Sequence, residues 1–157
     1  MNRATERSDI DTTLVTIHQA LASLNIFWMI IGSTSLYLSG YDVKPQDIDI
    51  FTTRKNAVIL EKALQPYKLD FVNYPDSKFR SAFSKYLING VTVEVMGGLE
   101  VNTESGWVLL KNYINNPVEV KHRDCIFTVP GAADQKRIYK LFNRAKDDRV
   151  IALLGED

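Results

Sequence analysis

Residues 28–51, WMIIGSTSLYLSGYDVKPQDIDIF, carry the strongest fold signal in the sequence. This stretch begins inside an apolar run over residues 26–31, which predicts a central strand covered on both faces because the run does not alternate. Gly32-Ser33 ends this strand, and a short helix is expected over residues 35–38. After a loop, residues 47–51 predict a second strand. The stretch therefore places a glycine turn close to a strand that carries two carboxylates.

Asp47 and Asp49 are predicted to project from one face of the second strand, because alternate strand residues point the same way. Their spacing along the strand is about 6.8 Å, while Ile48 and Ile50 face the core. Two carboxylates this close repel each other unless they share a cation. Mg²⁺ prefers carboxylate oxygens and completes its shell with water and substrate phosphates. The pair is therefore a candidate site for metal ions.

A third carboxylate is expected from Glu94, in the middle of a predicted strand over residues 91–96. That strand and residues 83–88 flank Asn89-Gly90, a two-residue turn typical of a β-hairpin. The valines of the second strand share one face and leave Glu94 on the other. A carboxylate on a covered face needs a partner, which a metal ion would provide.

Gly32 and Ser33 are candidates for holding phosphate. A glycine at a strand end lets backbone approach a ligand closely, and the helix behind it directs free N–H groups at an anion. The Ser33 hydroxyl can add one hydrogen bond. A Gly-Ser turn is usually only a turn, and two aspartates spaced by one residue often occur by chance. Their order on two strand ends, with an acidic residue in a later hairpin, favours a site.

The remaining chain predicts alternating helices and strands. A first helix is expected from a cap at Asp9 or Asp11, and another runs from Thr52 or Thr53 to about Leu64. Gly97-Gly98 is expected to break the second hairpin strand. Further short strands are predicted over residues 69–72, 107–110, 118–120 and 126–129, and two helical segments between Pro130 and Gly155. This order predicts an α/β (α+β) fold, a mixed β-sheet with helices packed against it and a C-terminal helical segment.

Composition narrows the class of protein. Lys+Arg and Asp+Glu both number 19 among 157 residues, so no global basic field argues for a long nucleic-acid track. No repeat or linker marks a boundary, and we expect one domain over residues 1–157. Cys125 is the only cysteine, the N-terminus is too polar for a signal peptide, and no apolar run approaches the ~20 residues of a membrane span. A cytoplasmic protein without a membrane partner is expected.

At these residues the sequence resembles the DNA polymerase β-like nucleotidyltransferase superfamily. The resemblance consists of Gly32-Ser33 followed fifteen residues after Gly32 by Asp47-Ile-Asp49, with Glu94 in a later hairpin strand. Residues 141–147, LFNRAKD, resemble the C-terminal helix turn of that superfamily, with Asn143 in place of the usual glycine. The chain looks most like small single-domain members, including antibiotic nucleotidyltransferases and the nucleotidyltransferases of toxin–antitoxin and abortive-infection pairs.

The resemblance implies transfer of a nucleoside monophosphate from an NTP to an acceptor hydroxyl, with release of pyrophosphate. By that analogy Asp47 and Asp49 bind two Mg²⁺ ions. Glu94 holds the metal that activates the acceptor and helps take its proton. The third position is more often Asp than Glu in the superfamily. The acceptor stays open between a small molecule, a protein hydroxyl and an RNA end.

Basic side chains are further candidates for contacts to the triphosphate. Arg137, Lys140 and Arg144 would share one helix face if the helix after Pro130 ran through Asn143, but most such rows are solvated faces. Arg80 and Lys85, near the start of the hairpin, are candidates on the same grounds.

A second function stays open on the sequence alone. A non-catalytic protein of the same fold, acting as an NTP sensor or as an antitoxin-like binding partner of another protein, would share every motif. Metal dependence and turnover separate the two hypotheses.

Overall fold

The computed structural model describes residues 4–72 and 75–155. It contains five α-helices and seven strands within those ranges. In chain order they are α1 (Arg7–Leu21), β1 (Met29–Ile31), α2 (Gly32–Leu38), β2 (Asp47–Thr52), α3 (Arg54–Ala63), β3 (Phe79–Ile88), β4 (Val91–Thr103), β5 (Gly106–Leu109), β6 (Pro117–His122), β7 (Cys125–Pro130), α4 (Ala132–Phe142) and α5 (Asp147–Leu154). The predicted α/β (α+β) fold is confirmed.

Five strands form one mixed sheet in the order β1-β2-β4-β3, with β5 also paired to β4. β2 and β4 run parallel, and the other pairs are antiparallel. β6 and β7 form a separate two-stranded sheet. The apolar run of residues 26–31 does not form a central strand, because only Met29–Ile31 pairs and β1 lies at the sheet edge.

The two sheet faces have separate cores. On one face α1 and α3 pack against side chains such as Ile48 and Ile50. On the other face α4 packs against Met29, Ile31 and Phe51. Because Phe51 lies two residues beyond Asp49, both side chains project from the α4 side of the sheet. The carboxylates therefore extend from the end of a packed apolar face.

The ends of two helices differ in how well the sequence predicts them. Thr53 caps α3 as predicted, since its side chain accepts a hydrogen bond from the Asn56 N–H. The cap of α1 is Glu6 instead of Asp9 or Asp11, and Asp9 completes a capping box by accepting from the Glu6 N–H. Asp11 lies inside the helix, where it accepts from Tyr37 and Arg123 and hydrogen-bonds His122.

Two predictions about the hairpin region are wrong. Gly97-Gly98 does not end the strand: β4 continues to Thr103, and a β-bulge absorbs the glycines with Gly98 at φ +63°. Residues 69–72 do not form a strand, although the Leu69 N–H still donates to the Lys85 carbonyl. No helix in the described part of the chain combines the length and apolar character needed to cross a membrane.

Candidate active site

The parallel pairing of β2 with β4 brings the three predicted carboxylates together. Asp49 is directly opposite Glu94 in the sheet register, and Asp47 is opposite Thr92. One carboxylate oxygen from each of Asp47, Asp49 and Glu94 can be chosen so that all three lie within 4.8 Å of one another. We call this cluster the carboxylate triad.

Position 32 requires a glycine because the Asp49 side chain lies against it. Its φ is +72°, a left-handed conformation that other residues rarely adopt, and a Cβ there would lie 2.8 Å from Asp49 Oδ2. The glycine turn therefore leaves the space that one carboxylate of the triad fills. Ser33 follows in the first turn of α2, where it is half-buried.

Hydrogen bonds fix the turn against the strands and α4. Thr34 donates to the Asp47 carbonyl at 2.6 Å, and Ser35 donates to the Gly32 carbonyl at 2.6 Å. The buried Gln135 of α4 donates to Ser35 Oγ at 3.0 Å. These bonds join α2, β2 and α4, so the backbone around the triad is held from three sides.

The surroundings of the carboxylate triad disfavour three ionised side chains and favour bound protons or cations. Burial, together with the charges of Asp47 and Glu94, raises the pKa of Asp49 to about 7. Burial also raises the pKa of Asp47 and that of Glu94, and in Glu94 the charge of Asp47 adds to the rise. Because each group resists ionisation beside the others, a bound cation would relieve the repulsion.

Three basic side chains lie close enough to oppose these shifts. Lys146 and Lys85 lower the pKa of Asp47, and Lys85 also lowers that of Glu94. Arg144 and Lys146 lower the pKa of Asp49. Lys85 also lies over the Phe71 ring, with its Nζ 5.0 Å from the centroid. Lys85 and Arg144 were predicted from the sequence, and Lys146 was not.

The other basic candidates lie differently. Arg80 lines the cleft described below, but its guanidinium is paired with Glu100 and lies 4.2 Å from the centre of the Trp107 ring. Lys140 is exposed in the last turn of α4 and is not among the residues that line the cleft. The helix ends at Phe142 and Asn143 adopts the left-handed conformation, so Arg144 does not extend a helical row with Arg137 and Lys140.

A cleft with a volume of about 680 Å³ opens beside the carboxylate triad. Gly32, Asp49 and Glu94 line it, together with Arg80 and Arg144. Its remaining wall is largely apolar and aromatic, and includes Phe71, Val72, Phe79, Phe83, Met96 and Phe142. This volume lies within the roughly 300–1,000 Å³ typical of small-molecule sites.

Arg144 is held in a fixed position at the cleft. Its guanidinium makes two hydrogen bonds to the buried carboxylate of Asp147, at 2.8 and 2.9 Å, and its backbone N–H makes a third at 3.0 Å. The same guanidinium lies over the Phe142 ring, 4.9 Å from the centroid. Residues 141–147, which the sequence predicts as a helix turn, therefore hold the Arg144 guanidinium in place beside the cleft.

The residues present suit a divalent metal ion. The triad offers only carboxylate oxygens, the ligand type preferred by Mg²⁺ and other hard cations. The raised pKa values show that three adjacent negative charges are poorly compensated by the protein alone. Asp47, Asp49 and Glu94 are thus the residues that could hold a metal.

Lys146 and Tyr139 are the residues that sequence reasoning missed. Lys146 is exposed and lies in the segment that resembles the superfamily's C-terminal turn, which was the one signal available. Tyr139 is buried and lines the cleft, and burial raises the pKa of its phenol, with added contributions from Asp147 and Asp49. Its helical position gave no signal, since it reads as an ordinary core aromatic.

Comparison with known proteins supports the nucleotidyltransferase architecture. No family model and no curated protein matches the chain. A solved structure described as a candidate nucleotidyltransferase from Thermotoga maritima is 24% identical, with a TM-score of 0.77 over 96% of this chain and 94% of the other.

Two solved antibiotic-modifying proteins have the same fold at lower identity. A lincosamide antibiotic adenylyltransferase bound to lincomycin has 15% identity and a TM-score of 0.61, over 92% of this chain and 95% of its own. ANT(2")-Ia in complex with adenylyl-2"-tobramycin has 10% identity and a TM-score of 0.60, over 92% and 87%. The chain therefore has the nucleotidyltransferase fold, as the resemblance in its sequence predicted.

Proposed function

We propose that the protein is a metal-dependent nucleotidyltransferase that moves a nucleoside monophosphate from an NTP to an acceptor hydroxyl. The acceptor oxygen would bond to the α-phosphorus, the bond to the β-phosphate oxygen would break, and pyrophosphate would leave. The observation that carries the proposal is the convergence of Asp47, Asp49 and Glu94 within 4.8 Å at a cleft of the nucleotidyltransferase fold.

Asp47, Asp49 and Glu94 are proposed to hold two Mg²⁺ ions. When bound, the ions would supply Lewis-acid activation of the acceptor oxygen and neutralise charge at the phosphates. The raised pKa values of the three side chains support this assignment, because the site is electrostatically incomplete without added positive charge.

The chain's own residues have distinct proposed roles. Glu94 would hold the metal ion that activates the acceptor hydroxyl and would help to take its proton. Gly32 and Ser33 would contact phosphate through backbone and hydroxyl groups. Lys85 and Lys146 would balance triphosphate charge. This role is supported by the fact that both lysines lower the pKa of Asp47.

Arg144 would contribute a fixed cation at the wall of the cleft. Its bonds to Asp147 already set its orientation, so little side-chain freedom is lost when a phosphate binds. Arg80 lines the same cleft and is proposed as a contact to the nucleotide, in exchange for part of its pairing with Glu100.

A small hydroxylated molecule is the acceptor that the cleft favours. The volume of about 680 Å³ is that of a small-molecule site, and its apolar wall offers little for a charged polymer backbone. Two proteins of the same fold were solved with lincomycin and with adenylyl-2"-tobramycin. We therefore propose a small-molecule acceptor, with these two classes of antibiotic as the first to be assayed.

The test is transfer of label from α-³²P-labelled NTPs in the presence of Mg²⁺. Acceptors would be lincomycin, tobramycin, a wider panel of hydroxylated small molecules, and a small-molecule extract of cells. We expect a labelled product that requires Mg²⁺ and is lost at least about 100-fold in Asp49→Asn. The matched control Glu104→Gln changes an exposed acidic residue of the β4–β5 turn and is expected to retain transfer.

Two results would count against the proposal in different ways. Mg²⁺-dependent NTP binding without transfer to any acceptor would indicate the non-catalytic NTP-sensor function. Absence of both transfer and Mg²⁺-dependent NTP binding would remove the enzyme and the sensor together and leave only the partner-protein hypothesis.

A further inference from the structure

A second cavity, separate from the cleft, lies further along the same sheet face. It has a volume of about 320 Å³ and is formed where β2 ends and α3 begins, opposite β5 and the turn Leu110–Tyr113. We call it the apolar cavity. Its apolar lining includes Phe27, Met29, Phe51, Leu99, Leu109 and Ile114. Leu99 also lines the cleft, so it forms part of the wall between the two spaces.

The interior of the apolar cavity suits a hydrocarbon or aromatic body. Phe27 and Phe51 meet edge to face with ring centroids 6.3 Å apart. Phe27 is 44% exposed although it lies beside these buried side chains, so its ring still has apolar surface to cover. Engineered apolar cavities of about 150 Å³ bind molecules such as benzene, and this cavity is about twice that size.

The charged residues of the apolar cavity are all cationic. Arg54 and Lys111 line it, and no carboxylate is among the described lining residues. Within residues 4–72 and 75–155, neither cation forms an ion pair or a hydrogen bond with an acidic group. Arg54 and Lys111 are both exposed to solvent.

Gly98 leaves room for the Arg54 side chain along the cavity wall. A Cβ at Gly98 would lie 2.8 Å from Arg54 Cγ and 3.4 Å from Nε, so the glycine of the β4 bulge gives the arginine its path. The aliphatic part of an arginine in this position can lie against apolar surface while its guanidinium contacts an anion. Long cationic side chains commonly divide in this way between apolar surface and water.

We propose that the apolar cavity binds an amphipathic anion, a molecule with a single carboxylate or similar acid group on an apolar body. The apolar body would occupy the space between Phe27, Phe51 and Leu109, and the acid group would contact Arg54 and Lys111. This site does not depend on the function proposed for the carboxylate triad, because it uses none of the same charged residues.

The test uses decanoate as the probe, below its micelle concentration, with decanol and decyltrimethylammonium as neutral and cationic counterparts. Binding would be measured by titration calorimetry, and its place by amide chemical shifts in ¹⁵N-labelled protein. We expect saturable binding of decanoate, weaker binding of decanol, and none of the cation. The largest shifts are expected at Thr53, Gly98, Leu109 and Lys111.

Two variants separate the head group from the apolar body. Arg54→Gln combined with Lys111→Gln should weaken decanoate binding about tenfold or more while leaving decanol unchanged, as expected for lost charge-assisted contacts. Leu109→Trp should fill the cavity and abolish binding of both. Lys55→Gln, one residue from Arg54 but outside the cavity lining, is the matched control and should bind normally.

Several results would overturn the proposal. These are the absence of saturable decanoate binding, equal binding of all three probes, or chemical shifts centred on the cleft. If Leu109→Trp failed to fold, the variant that combines Arg54→Gln with Lys111→Gln, both at exposed positions, would still test the proposal. A dimer in sedimentation experiments that Leu109→Trp dissociates would show that a second copy of the chain covers this cavity, and would also overturn the proposal.

Discussion

Replacing Asp49 by asparagine should stabilise the metal-free protein while destroying its metal site. The asparagine keeps the shape of the side chain and removes the charge that burial, Asp47 and Glu94 all disfavour. A buried carboxylate with a raised pKa destabilises the folded state when it is ionised. At this residue the ionised carboxylate that serves metal binding therefore lowers the stability of the metal-free protein.

The magnitude follows from the pKa of Asp49, which rises from 3.8 to about 7 in the folded protein. At about 1.4 kcal/mol per pKa unit, this difference corresponds to about 4 kcal/mol of lost stability above pH 7. Between pH 4 and 7 the folded state holds more protons at this residue than the unfolded state does, so the loss grows as pH rises. We expect Asp49→Asn to recover about 2–4 kcal/mol at pH 8 and little at pH 4.

The assay is urea unfolding of wild type and Asp49→Asn at pH 4, 5, 6, 7 and 8 in EDTA. Titrating groups remote from the triad cancel in the difference between the two proteins, whereas Asp47 and Glu94 also respond to loss of the Asp49 charge and contribute to it. Glu104→Gln removes an exposed carboxylate outside the triad and is the matched control, expected to lie within about 0.5 kcal/mol of wild type throughout. In Mg²⁺ at about 100 times its dissociation constant, wild type alone should gain about 2.7 kcal/mol.

Either of two results would contradict this prediction. If Asp49→Asn were less stable than wild type at pH 8 in EDTA, or if the difference were the same at pH 4 and pH 8, Asp49 would not be the repelled, buried carboxylate described above.

Three further predictions concern Gly32 and Lys146, near the triad, and Asp134 in the first turn of α4. Gly32→Ala places a Cβ against Asp49 Oδ2 at a positive φ, so it should cost about 1–2 kcal/mol of stability and lower Mg²⁺ affinity, as measured by urea unfolding and by calorimetry. Lys146→Gln should weaken NTP binding about threefold to tenfold with less than about 0.5 kcal/mol change in stability, whereas the exposed control Arg149→Gln should bind NTP normally. Asp134→Ala should cost about 2–4 kcal/mol in urea unfolding at pH 7, because the fully buried carboxylate accepts hydrogen bonds from two backbone N–H groups, at 3.0 and 2.6 Å, and pairs with Arg137. An unchanged unfolding free energy in the first or third variant, or equal NTP affinity of Lys146→Gln and wild type, would contradict the corresponding contact.

The members of the triad could be predicted from the sequence because strand alternation is a local rule. It places Asp47 and Asp49 on one face, and it separates Glu94 from the valines beside it. The pairing that joins them is not local. β2 and β4 run parallel with Asp49 opposite Glu94, and this register depends on how two distant segments pack. The three residues could therefore be predicted from the sequence, but the distances between their carboxylates could not.

The glycines show where local signals are ambiguous. Gly97-Gly98 carries the same signal as a turn, yet it forms a bulge inside a continuous strand. A Cβ at Gly97 would lie 2.6 Å from the Cβ of Ala57, so that glycine also lets α3 pack closely on the sheet. A turn, a bulge and a close approach all need glycine, and only the three-dimensional packing tells them apart.

Lys146 was missed because nothing in its own neighbourhood distinguishes it. It is an exposed lysine in a basic region, and most such residues are simply solvated. Its effect on Asp47 and Asp49 depends on the chain reversal at Asn143, where a left-handed residue ends α4 and turns the chain toward the carboxylates. Tertiary packing, not local pattern, brings this cation to the site.

The most direct test of the central claim is the anomalous diffraction of Mn²⁺ in crystals of the protein grown with a non-hydrolysable NTP analogue. Mn²⁺ favours the same oxygen ligands as Mg²⁺ and can be located by its anomalous signal. One or two strong peaks bounded by Asp47, Asp49 and Glu94 are expected, with triphosphate density in the cleft, and no such peaks in Asp49→Asn. Nucleotide bound in the cleft without metal at these three carboxylates, or metal bound only elsewhere, would contradict the claim.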